Sequence, residues 1–142
     1  MKYHFRIHKE KNGYWGECVE LVGCRTQADD HKDLLNNMKK ALNLILSEPD
    51  SSTVIFPEPR KNLKSKNIVE VQVSPNVAFA LQLRQIRLKR NLTQKAMMSF
   101  LGILHVSNYQ RLENPKKANP ELKTLFELQQ QLPELSVVKI FR

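Results

Sequence analysis

The stretch LTQKAMMSFLGILHVSNYQRLEN, residues 92–114, decides how the second half of this 142-residue chain folds. Thr93 precedes Met97, Met98 and Leu101 at helical spacing, so it reads as an N-cap and Gln94–Leu101 as a helix. Gly102 interrupts the pattern and starts a tight turn. The next helix is predicted from about Val106 to Asn114, with Tyr109 and Leu112 on its buried side. Ser107, Asn108, Gln110 and Arg111 supply the opposite, polar side.

Upstream, Val77, Leu81, Leu83, Ile86 and Leu88 support a helix that ends near Arg90, with Ser74 as cap and Pro75 at the first helical position. Asn91 stands where the chain must reverse, and Asn tolerates the left-handed conformation. Downstream of the Asn114–Pro120 loop, Leu122, Leu125, Phe126, Leu128 and Leu132 mark a further helix. Ser136–Phe141 is β-branched and aromatic and reads as a terminal strand, either folded onto its own domain or paired across a two-fold axis.

Leu92-Thr93-Gln94, Leu101-Gly102-Ile103 and Arg111-Leu112-Glu113-Asn114, in that order, resemble the phage-repressor and Cro type of helix-turn-helix over roughly 55 residues. Two positions depart from that pattern. Met98 stands where Ala is usual, and Ile103 to Glu113 is one residue longer than the common spacing. The resemblance implies duplex DNA as partner, read by the helix that begins near Val106. Base edges would fall to Ser107, Asn108, Gln110 and Arg111, with Arg111 suited to guanine and Asn108 to adenine. Phosphates would fall to Thr93, Gln94, Asn114, Lys116 and Lys117. Gln94 can equally serve as a capping residue only, Arg111 as half of an internal ion pair, and the two lysines as a solvated loop. The resemblance also implies a structural ion pair between Arg87 and Glu113 and a homodimer or higher homo-oligomer on a palindromic site.

The first half has a different texture. Tyr3, Phe5 and Ile7 alternate with polar residues, Lys11-Asn12-Gly13 marks a turn, and Tyr14–Leu21 resumes extended character. Gly23 breaks that run before a short Cys24-Arg25-Thr26 strand. Asp29 or Asp30 then caps a helix over residues 30–48, with Leu34, Leu35, Met38, Leu42, Ile45 and Leu46 on one side. A Pro-rich connection over residues 48–67 follows, with Val54-Ile55-Phe56 expected to touch the core, and Ile68–Val73 alternates as a fourth strand. The fold class is α+β: a β-β-β-α-β domain at 1–74 and an all-α helix-turn-helix domain at 75–142.

Tyr14-Trp15-Gly16, then Gly23-Cys24-Arg25-Thr26-Gln27-Ala28, then an amphipathic helix resemble the N-terminal domain of HicB antitoxins, a partial ribonuclease-H-like sheet without catalytic function. Ala28 stands where Gly is usual. The resemblance implies a type II antitoxin that binds and neutralises a HicA-like mRNA endonuclease and represses its own operon. Glu17, Glu20, Asp29, Asp30 and Asp33 are the candidates to face a basic toxin, or else form an ordinary solvated surface. Trp15 suits an interface as well as a core. The alternative is a stand-alone helix-turn-helix regulator whose first domain senses a small ligand.

Charge agrees with one polyanion-binding half. Residues 1–74 carry twelve Lys+Arg against ten Asp+Glu, a net of +2, and residues 75–142 carry eleven against four, a net of +7. No apolar run approaches the roughly 20 residues that span a bilayer, and no apolar h-region follows the N-terminus, so a cytoplasmic location is expected. Cys18 and Cys24 read as reduced thiols without the partners a zinc site needs, so no metal and no cofactor is expected. The acidic residues lack recognisable metal-nuclease spacing, and neither His4 nor His8 has a paired nucleophile. The expectation is a binding protein, not an enzyme.

Overall fold

The computed structural model describes residues 1–142, and they gather into two units. The first comprises Met1–Leu46 and Phe56–Val73 together with Arg142, and the second Ser47–Ile55 and Ser74–Phe141. The connection after the first helix therefore divides, and its first nine residues belong with the C-terminal helices. Val54 and Ile55 are about half exposed.

In the first unit β1 (Lys2–Glu10), β2 (Gly13–Cys18), β3 (Arg25–Ala28) and β4 (Ile68–Gln72) form one antiparallel sheet in the order β3-β2-β1-β4. The long strand β1 and its neighbour β2 are the two interior strands, and in β1 Phe5 lies opposite Cys18 on one side and Val69 on the other. Helix α1 (His31–Leu46) begins at Asp30, whose Oδ1 accepts the Asp33 N–H at 2.8 Å. Leu34, Met38, Leu42 and Leu46, spaced by four, are its buried stripe. They meet a sheet face that contains Tyr3 and Phe5, both almost completely buried. Gly16 makes that approach possible, since a Cβ there would lie 2.6 Å from Met38 Sδ. Cys18 and Cys24 are free and buried.

The alternation of β1 predicts that His4 faces solvent, and the structure buries it. Residues 57–60 are drawn over that end of β1: the Tyr3 hydroxyl donates to the Pro57 carbonyl at 2.9 Å. Glu20 closes the arrangement. Its Oε1 faces His4 Nδ1 at 2.6 Å and accepts the Arg60 N–H at 3.1 Å, while Oε2 accepts the His4 N–H at 3.0 Å. Glu20 was expected among the residues that face a toxin, and this is corrected: with 1% of its side chain exposed, it serves internal donors.

In the second unit α2 (Pro75–Lys89) is the hub, with ten of its residues buried. Ser74 takes the cap position ahead of Pro75, though its side chain makes no capping bond. Asn91 adopts φ 55°, and Leu92 N–H returns to the Arg87 carbonyl at 3.1 Å. Thr93 Oγ1 accepts the Ala96 N–H and caps α3 (Gln94–Leu101). Gly102, at φ 72°, ends it. Then come α4 (Val106–Glu113), α5 (Leu122–Gln131) and α6 (Val137–Phe141). The last corrects the expectation of a strand at Ser136–Phe141. Gln82 on α2 grips the backbone of Ser136 through both its N–H and its carbonyl, and Ser136 Oγ accepts the Lys139 N–H. That anchored cap turns the chain into a short helix that buries Ile140, overriding the β preference of Val137 and Val138.

Glu20 generates a pH prediction. Burial pushes its carboxyl up, but the hydrogen bonds from the His4 ring, the His4 N–H and the Arg60 N–H outweigh it and hold the carboxyl below its ordinary 4.5. A depressed folded value stabilises the protein above the unfolded value, and that contribution disappears as pH falls through the folded one. Glu20→Gln is expected to cost about 1–3 kcal/mol at pH 7 and to flatten the loss of stability below pH 4.5. Urea melts from pH 3 to pH 7 check it; an acid limb equally steep in the variant contradicts it.

Candidate nucleic-acid interface

Helix α4 has eight residues, and its two sides differ sharply. Tyr109 and Glu113, four apart, have no exposed surface, while Leu112 is half-buried. Ser107, Asn108 and Arg111 are exposed. Residues 107, 108 and 111 share a helical face because steps of three and four return to the same side. Arg111 pairs with no acid, so the internal-pair option for it is not taken up among the ion pairs of the structure.

What fixes α4 is the carboxylate behind it. Arg87 Nε lies 3.0 Å from both oxygens of Glu113, and Arg87 Nη1 donates to the Leu92 carbonyl at 2.9 Å. One guanidinium thus joins the end of α4 to the turn that leads into α3. Gln94, the first residue of α3, donates to Glu113 Oε2 at 3.3 Å and accepts from Gln110 Nε2 at 3.2 Å. Arg87, Glu113, Gln94 and Gln110 form one continuous polar chain across three helices. Gln110 is therefore half-buried and tethered, unlike its exposed neighbours. Burial, with the Glu113 charge second, pushes the Tyr109 hydroxyl well above its usual range, so it stays protonated.

The residues proposed for phosphate contact fall into two groups. Thr93 is occupied as a cap, and Gln94 in the polar chain, at the N-terminal end of α3. Asn114 Oδ1 accepts the Lys116 N–H at 2.9 Å, which shapes the turn that displays Lys116 and Lys117 to solvent.

In the first unit, Trp15 is half-buried and stacks on His8 with ring centroids 3.9 Å apart and planes 13° apart. His8 Nε2 is 3.2 Å from Glu17 Oε1, so Glu17 braces the stack from behind. Trp15, Asp29 and Asp33 line one open cavity of about 500 Å³ together with Glu10, Tyr14 and Gln27. Asp30 lies beside them and is engaged as the α1 cap. Three of the six expected toxin-facing residues therefore come together, Glu17 and Asp30 support them, and Glu20 stands apart. Periodicity gave no hint of Glu10, Tyr14 or Gln27, which reach the cavity from β1, β2 and β3.

The Arg87–Glu113 pair predicts a split between stability and binding. Glu113→Ala leaves Arg87 buried and unpaired and should cost about 3–5 kcal/mol, whereas Arg111→Ala, on the exposed side, should change stability by less than about 0.5 kcal/mol. Thermal melts of both variants check this.

Over 74 residues the chain is 31% identical to a protein of Helicobacter pylori (strain J99) named UPF0150 protein, a match that covers 52% of this chain and 92% of that relative. No family model matches the chain.

Proposed function

The chain belongs to the UPF0150 family, and from that membership we propose that it is the antitoxin of a type II toxin–antitoxin pair. Its first unit binds and neutralises a HicA-like mRNA endonuclease, and its second binds operator DNA and represses the shared operon. The DNA-reading half rests on one observation: a helix whose Tyr109 and Glu113 are locked inside while Ser107, Asn108 and Arg111 stand free. That is the form a major-groove reader needs, with hydrogen-bonding groups ahead and a rigid support behind.

The toxin-binding half is supported by the HicB-related family and by the cavity where Trp15 meets Asp29 and Asp33. A braced indole beside free carboxylates suits a basic partner, through cation–π contact and charge pairing. In this reading the protein performs no catalysis of its own. It acts as a homodimer or higher homo-oligomer, because one eight-residue helix reads too few base pairs to find an operator unaided.

Three measurements test the proposal. Arg111→Ala should lower affinity for the upstream duplex by about 1–3 kcal/mol and relax its preference over unrelated DNA, with toxin capture unchanged. Equal affinity in wild type and variant refutes the assignment of α4. Binding should also weaken steeply with salt, log K falling with log salt by about 0.9 per phosphate contacted; a flat response from 50 to 200 mM, roughly the range over which such interfaces lose most affinity, contradicts a phosphate-based interface. Co-expression with the adjacent reading frame separates an antitoxin from a ligand-sensing regulator: only the former rescues growth and copurifies.

A further inference from the structure

Arg84 lies in the middle of α2 and is 4% exposed. Its guanidinium faces two ways. On one side Nη1 donates to the Glu48 carbonyl at 2.8 Å, and Nη2 stands 3.7 Å from Asp50 Oδ1. On the other, Nε stands 3.9 Å from Glu113 Oε1. The first pair of contacts belongs to the connection that follows α1, the second to the carboxylate at the end of α4. Nη2 makes no hydrogen bond although it is buried, and 3.7 Å is an ion-pair distance only.

A buried guanidinium requires acceptors. With the connection docked, Arg84 has a carbonyl and a carboxylate on that side and stands off from Glu113. With the connection lifted, Glu113 is the acceptor left within reach. Its two oxygens already serve Arg87 at 3.0 Å and Gln94 at 3.3 Å. Arg84 moving inward competes for them, and the longer bond to the neutral amide of Gln94 yields first. Gln94 in turn holds Gln110 on α4.

We infer that Arg84 is a positioning residue that couples the docking of Ser47–Asp50 to the placement of Gln94 and Gln110 in the nucleic-acid-facing unit. Ser47 continues directly from Leu46, the last residue of α1. Anything that binds the first unit and draws on the end of α1 therefore acts on Glu48 and Asp50 through the covalent chain. The consequence for DNA rests on the function proposed above; the coupling itself does not.

The test uses the isotope-labelled full chain, with the side-chain amide signals of Gln94 and Gln110 and the backbone exchange of residues 47–52 as readouts. Arg84→Met keeps the aliphatic stem and removes the guanidinium. Exchange in the connection should rise about ten-fold or more, and both glutamine signals should move. Glutamine signals that stay in place while the connection loosens overturn the inference, and so does unchanged exchange. Should Arg84→Met fail to fold, Asp50→Asn, at a side chain 57% exposed, decides the matter: the same signals shift by a smaller amount, or the coupling is absent. Duplex binding by wild type and variant separates the two claims. Linked shifts in a wild type that binds no DNA leave the coupling standing and remove the DNA-reading function; unlinked shifts in a wild type that does bind remove the coupling alone.

Discussion

A fully buried carboxylate at the end of a short helix is the constraint on which the C-terminal unit depends. Burying Glu113 costs several kcal/mol in desolvation, and its place in the last turn of α4 adds the unfavourable end of the helix dipole. Only donors brought from elsewhere offset this, and they arrive from two other helices: Arg87 on α2 and Gln94 at the start of α3. A slide of α4 by one turn would strand both the acid and the guanidinium. The pair therefore selects one arrangement of three helices more than it adds net stability.

The same constraint sets what faces outward. Once Glu113 is fixed, the helical period puts Tyr109 one turn earlier on the inner side, and Ser107, Asn108 and Arg111 have only solvent left to them. Gln110 lies between the two sides, and Gln94 takes it up there. The longer turn from Ile103 left the register of this helix open by one residue in the sequence. A buried acid with an arginine waiting for it settles the register, because a shifted helix would present Asn114 or Leu112 to Arg87 instead.

Local patterns in the chain were legible, and long-range polar pairings largely were not. Thr93, Gly102, Asn91 and Asp30 each act through bonds to residues a few positions away, so residue type and spacing identified them. The alternation of β1 and the four-residue stripe of α1 were readable for the same reason. His4 and Glu20 were not, because what covers them arrives from residues 57–60, and the hydrophobic period of a strand carries no information about a loop laid across it. Ser136–Phe141 misled because β preference is weaker than a cap held by two bonds from Gln82. Of the residues proposed to face DNA the outward set was visible, but the internal use of Gln94 and Gln110 was not.

Acid placement explains why an excess of cations in the C-terminal half remains available to a polyanion. From Pro75 onward there are four acids. Glu113 is consumed by Arg87, Glu134 by Arg90 and Glu127 by Lys123, while Glu121 occupies the cap position of α5. Hydrogen bonds within its own turn and from Arg90 hold the exposed Glu134 carboxyl below its usual value, so it stays charged beside that arginine. None of the four pairs with Arg111, Lys116 or Lys117. The cations on and just beyond one polar helix stay unneutralised because none of the four acids reaches them, two of those acids being tied to arginines at the end of α2. Internal support thus takes up the acids Glu113 and Glu134, and Arg111, Lys116 and Lys117 are left without an acidic partner.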